Sequence, residues 1–399
     1  SDTVWLDTPG IDPSLMWDED GKSYYVGHGN LKEKQEWPDQ QGVWLQEIDL
    51  AAQKMVGKRV QLTHGHANNA VWSEGPHLYK INGKYLLMLA EGGTGYHHST
   101  TVHHSNSVFG PYVADQVNPV LTHRHLGKDY PIHSVGHTDI VETQNGEWWG
   151  VMLGKRFVDG YTLLARETFL SPVTFEGNTP IFNWGVGKVL IENKRPILPW
   201  TPFPKRPARD HFDGSQLDLA WNMLRTPQSD WYSLKGSRLQ LKLRPQSLSQ
   251  LTNPSLIARR IEDHRFAAMT KLEFATKKSH ERAGMIIYRS SQCHYQFLKE
   301  KGYLVVIKTL KGQSEEVARI AYTAKSVILK AAANELDLQF SYGPDEASMK
   351  PMGEVQHMNV ISFEMAGGFN GPYVGMYATG SGESSRNVAE FDWFEYLGR

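Results

Sequence analysis

The chain has 399 residues, with 42 Lys and Arg against 43 Asp and Glu, for a formal charge of −1. Such a length suggests two or three domains with sizeable cores, and the balanced charge speaks against a nucleic-acid partner, because phosphate neutralisation needs a basic excess. No run of eighteen apolar residues occurs, so neither a membrane-spanning helix nor a membrane partner is expected. A single cysteine, Cys293, excludes an internal disulfide and a thiolate-rich zinc site.

The first expected elements are repeated. Asp12–Val26, Glu74–Met88 and His137–Val151 each read as a short apolar strand, a turn ending in Gly and a second aromatic-rich strand. Asp20-Gly21, Asn82-Gly83 and Asn145-Gly146 are expected as hairpin turn pairs, since Asn and Asp before Gly tolerate positive φ. The turn glycines are 62 and 63 residues apart, and a constant period built only of strands reads as propeller blades rather than a solenoid. Three units account for residues 1–195, whereas a closed propeller needs at least about four blades. The chain therefore reads as starting inside a propeller. It opens Ser1-Asp2-Thr3 without an initiator Met or a signal peptide, and the lone thiol suits a bacterial cytoplasm as well as a periplasmic or secreted setting, so the compartment stays open.

Residues 196–209 carry Pro196, Pro199, Pro202, Pro204 and Pro207, which forbid a helix or central strand and make a semi-rigid linker. From 210 to 399 alternating stretches such as Arg265–Phe274 and Leu304–Leu310, with turns at Lys301-Gly302 and Lys311-Gly312, predict a β-sandwich or jelly roll. The expected class is all-β: about three propeller blades followed by a sandwich.

The repeat puts Asp12, Glu74 and His137 at equivalent strand starts, and inner propeller strands line the central channel. The three side chains either converge on the axis or face solvent. Two converging carboxyls can divide acid and base work if their surroundings separate their pKa values, and glycoside cleavage demands such a pair. Glu74 follows Trp72-Ser73 and precedes Gly75-Pro76, an apolar setting that favours the protonated acid. Twelve of the 17 histidines precede residue 140, but no recognised metal-ligand spacing is present. Pocket lining for some and surface strands for the rest are expected. Arg166 either contacts a sugar near the axis or pairs at the surface with Glu167. Glu91-Gly92-Gly93-Thr94-Gly95 lacks the Lys-Ser/Thr of a phosphate loop and reads as a tight loop beside the pocket.

Together, Asp12-Pro13-Ser14-Leu15, Ser73-Glu74-Gly75-Pro76-His77, Ala90-Glu91-Gly92-Gly93-Thr94, Gly136-His137-Thr138-Asp139 and Arg166-Glu167-Thr168 resemble glycoside hydrolase family 43, especially its β-xylosidases and α-L-arabinofuranosidases. Asn118–His125 and the stretch from His211 to Gly398 extend the resemblance over essentially the whole chain. It implies a five-bladed β-propeller with a following β-sandwich and inverting, exo-acting removal of terminal xylose or arabinose from hemicellulose oligosaccharides. By the same resemblance Glu74 would be the general acid and Asp12 the carboxylate that orients it and tunes its pKa. His137 would be the axial histidine beside or ligating a central cation, often calcium, with no other cofactor required. Arg166, His137, Trp72 and the loop residue Phe369 would contact the substrate.

The family's general base is an Asp in the first blade, and the order and spacing of the motifs match Asp12 to the third-blade Asp instead. The resemblance therefore implies that the base is absent from this chain. A missing N-terminal segment, or a second polypeptide carrying the N-terminal blades, would have to supply it. The alternative is a carbohydrate-binding fragment without catalysis.

Overall fold

The computed structural model describes residues 3–31 and 34–399 and divides into two compact units. The first comprises residues 1–156 and 167–201, the second residues 157–166 and 202–399. Relative to the boundaries expected from sequence, residues 157–166 go with the second unit, and Arg209–Asp210 already pair with the last strand, Val388–Gly398. Among the described residues no helix is long and apolar enough to cross a membrane.

The first unit consists of three antiparallel sheets, each a meander. Blade I is β1 (Ile11–Trp17), β2 (Ser23–His28), β3 (Val43–Asp49) and β4 (Lys54–Thr63). Blade II is β5 (Glu74–Ile81), β6 (Lys84–Glu91) and β7 (Ser99–Ser105), with its outer strand split into β8 (Val113–Ala114) and β9 (Leu121–Thr122), both pairing with β7. Blade III is β10 (Ile132–Glu142), β11 (Trp148–Arg156), β12 (Glu167–Glu176) and β13 (Thr179–Phe182).

Burial follows blade position. In β6 the alternate residues Tyr85, Leu87 and Leu89 pack with Met16, Val26 and Leu45 of blade I. Leu86 and Met88 point the other way and pack with Ile132, Ile140 and Met152 of blade III. A strand covered on both faces is apolar throughout, and Tyr85–Ala90 is. In β1, Ile11, Leu15 and Trp17 are exposed, as are Val141, Val151 and Leu170 of blade III.

The hairpin turns depart from expectation in length. Ile81 pairs with Lys84, so Asn82-Gly83 is a two-residue turn with both residues at positive φ. In blades I and III the last pairs are Trp17 with Ser23 and Glu142 with Trp148, and only Gly21 and Gly146 are left-handed. Those turns are longer because Gly21 and Gly146 N–H groups bond back to Asp18 and Thr143 carbonyls.

The second unit is a β-sandwich of a nine-stranded and a six-stranded antiparallel sheet. Its expected strands are present at Arg265–Glu273 and Tyr303–Leu310. Burial alternates along the first, while Leu304, Val305 and Val306 of the second are all buried, and the core takes in Phe266, Leu272, Leu304 and Val306. Leu163 and Leu164, from the connection between β11 and β12, lie in that same core.

Candidate active site

Each inner strand carries a β-bulge where the chain enters its blade, between Ile11 and Ser14, Glu74 and His77, and Gly136 and Asp139. A bulge re-aims side chains at a strand end. The left-handed residues at these bulges are Asp12, Gly75 and His137, with φ of 52°, 57° and 52°. The turn-glycine alignment had placed Glu74 level with Asp12 and His137. Blade II uses a shorter turn, so the backbone equivalent is Gly75, and Glu74 sits one residue earlier.

The three entrances converge. Gly75 N–H donates to Asp12 Oδ2 at 3.1 Å, and a Cβ added at Gly75 would lie 2.7 Å from His137 Nε2. Asp12 thus holds the peptide that follows Glu74, while His137 closes over that peptide from blade III. Glycine is required there on two counts, its φ and the imidazole against it.

Two further histidines border Asp12. Burial pushes both His28 and His77 below the ordinary imidazole value, against the opposing pull of the Asp12 charge. His77 Nδ1 is 3.3 Å from Ser14 Oγ and 3.6 Å from Asp139. Asp139 in turn accepts from Tyr79, whose hydroxyl accepts the Ile140 N–H at 2.9 Å. His77 was visible in the sequence only as part of the Glu74 motif.

Trp72 precedes the acid in a left-handed conformation, φ 54°, with its indole 40% exposed and Gly93 beneath it. Ser73 is fully buried and donates to the His64 carbonyl at 3.0 Å. Several of the histidines in this half of the chain are buried. His98 and His123 bond the Ser134 and Ile132 carbonyls at 2.9 and 2.8 Å, and His123 Nε2 accepts the Val189 N–H at 3.0 Å. They replace strand pairing where the blade backbone turns.

The Glu167 carboxylate takes the Arg156 guanidinium at 2.6 Å, because Glu167 begins β12 opposite β11. The Arg166 guanidinium lies 4.4 Å from the ring centroid of Phe369, a cation–π contact within the second unit. Phe369 is 55% exposed and follows two left-handed glycines, Gly367 and Gly368, whose carbonyls accept from the buried Arg289 at 2.7 and 3.3 Å.

Calcium takes roughly six to eight oxygen ligands, and among the described residues no group of three or more His, Cys, Asp or Glu side chains could hold a metal ion. No step is assigned to a metal.

Blades carrying carboxylates at their inner strand ends stand in a chain that continues into a β-sandwich. Residues 1–180 match the model of glycosyl hydrolases family 43, and residues 209–397 that of the beta xylosidase C-terminal Concanavalin A-like domain. A xylosidase/arabinosidase of Butyrivibrio fibrisolvens is 35% identical, over 97% of this chain and 76% of its own length. A non-reducing end alpha-L-arabinofuranosidase of Bacteroides ovatus is also 35% identical, over 99% of this chain and 74% of its length. Among solved structures, a xylan beta-1,4-xylosidase from Bacillus halodurans superposes with a TM-score of 0.91 at 32% identity, covering 99% of this chain and 78% of that one. The chain belongs to glycoside hydrolase family 43.

Proposed function

We propose that this chain is the larger part of an exo-acting, inverting glycosidase that removes terminal xylose or arabinose from hemicellulose oligosaccharides. Glu74 protonates the glycosidic oxygen, and Asp12 orients that acid and sustains its pKa. Trp72 and His137 contact the terminal sugar. The observation that carries this reading is the Asp12 carboxylate bonded to the Gly75 N–H, with His137 against the same residue. It ties a second carboxyl to the peptide bearing the candidate acid.

In the same reading the general base comes from outside these 399 residues, on an N-terminal segment or a separate chain. Three considerations support it. Propellers close with at least about four blades, and the described residues form three. The outward faces of blades I and III expose Leu15, Trp17, Val151 and Leu170, and the chain spans about three quarters of its curated relatives. Inversion places the two carboxyls about 6.5–9.5 Å apart, leaving room for the attacking water.

The test has two arms. Intact-mass analysis of the active preparation should reveal either a longer chain or a second polypeptide; full activity from the 399 residues alone would overturn the external base. Glu74→Ala should lower kcat/KM on xylobiose by about 10²–10⁴, the usual worth of a general acid, and much less on dinitrophenyl glycosides. Equal losses on both would remove Glu74 as the acid. Sugar affinity without any product release would favour a pure binder, a role for which the enzymatic relatives give no support.

A further inference from the structure

Glu91 closes β6 and is 3% exposed, yet the reaction as read above does not use it. A buried carboxylate is costly unless its oxygens are satisfied, and here its partners belong to one local frame. Oε1 accepts the His66 N–H at 3.0 Å and the Thr101 hydroxyl at 2.9 Å; Oε2 bonds His66 Nδ1. His66 lies in residues 64–73, the connection from β4 that ends at Glu74.

That connection folds back on itself at Gly65. A Cβ there would sit 2.5 Å from Ser73 Oγ and 3.3 Å from Glu91 Oε1. Ser73 also donates to the His64 carbonyl at 3.0 Å. The Glu91 strand grips the other side of the same segment, since Ala90 pairs with Glu74 and Gly92 N–H donates to the Val71 carbonyl at 3.0 Å. Displacing the carboxylate would therefore loosen both ends of the connection.

We propose that the Glu91–His66 pair is a positioning device for the general acid, fixing residues 64–73 and, through Ser73, the peptide on which Glu74 stands. This rests on the reading of Glu74 as the acid. The hydrogen bond to Glu91 holds His66 above its ordinary value, outweighing burial and the Arg124 charge. The charged pair therefore persists to higher pH than an ordinary imidazole would allow, and is lost as the pH rises through that raised value. The other titratable neighbour is His103, buried against Glu91 and His66, which burial keeps neutral.

The experiment compares Glu91→Gln and His66→Gln with Glu74→Ala in the assembled, active enzyme, across aryl glycosides of graded leaving-group pKa and xylobiose. Both positioning variants should lose about 10- to 100-fold on xylobiose, part of what a full acid supplies, and under about threefold on dinitrophenyl glycosides. The dependence on leaving group should steepen, and the parent's alkaline limb should flatten in His66→Gln. A uniform loss on all substrates, or no loss, overturns the proposal, because simple structural damage does not select by leaving group. If Glu74→Ala itself shows no selectivity, the acid assignment falls and this inference with it. If only Glu74→Ala shows it, this inference falls alone. Should Glu91→Gln fail to fold, His66→Gln carries the test, since that side chain is 28% exposed.

Discussion

Asp12 shows how much chemistry one backbone conformation can decide. At φ 52° its carboxylate reaches the Gly75 N–H, and an Asn in its place can still accept that bond while carrying no charge. A nearby negative charge raises a carboxyl pKa. Asp12→Asn should therefore lower the pKa of the acid and shift the alkaline limb of kcat/KM towards lower pH, whereas Asp12→Ala should also lose the alignment and most of kcat. A pH–rate profile of both variants checks this. Gly75→Ala should be worse than either, adding about 1–2 kcal/mol of left-handed strain to a collision with His137; thermal unfolding and activity should fall together.

In the second unit, His294 couples stability to pH. Burial lowers it to about 4, although its ring bonds the Ser290 carbonyl. A histidine depressed in the folded state contributes stability above its unfolded value of about 6.5, and loses it as the pH falls towards the folded value, at up to about 1.4 kcal/mol per pH unit. Urea unfolding of the second unit should weaken between pH 6.5 and 4, and His294→Gln should flatten that dependence.

At the level of elements, patterning reported strands well and turn geometry less well. The apolar run in β6 signals a strand covered on both faces, and the alternation in Arg265–Glu273 signals one covered on a single face. The glycine column at 21, 83 and 146 located all three hairpins. It could not reveal that blade II turns in two residues, because that depends on which residues pair across the strands. The one-residue offset between Glu74 and its neighbours follows from the same cause. Leu163 illustrates an element read from its surroundings alone: it joins β11 to β12 yet is buried in the sandwich core. Leu163→Ala should destabilise the second unit by about 2–5 kcal/mol, the usual cost of emptying a core site, with denaturant unfolding followed by sandwich tryptophans as the readout.

For the molecule as a whole, the exposed faces of blades I and III are the feature with most consequence. Single exposed apolar residues are ordinary, but Leu15 and Trp17 lie side by side on one face of β1. Trp17 is 65% exposed, so Trp17→Lys should change the stability of this chain by no more than about 0.5 kcal/mol. If further blades cover that face in the active enzyme, the same substitution should sharply reduce activity. Calorimetry and turnover on one preparation separate the two effects.

The sequence by itself determined the all-β class, the blade period, the proline-rich connector, the sandwich and the motifs that mark the family. These are readable because strand alternation, turn residues and motif spacing are local along the chain. Only the tertiary structure decided that Gly75 rather than Glu74 shares the left-handed position, that Arg166 meets Phe369, and that Glu91 holds His66. Those pairings join residues 25 to about 200 positions apart, and a partner that distant is chosen by packing, which leaves no period in the sequence.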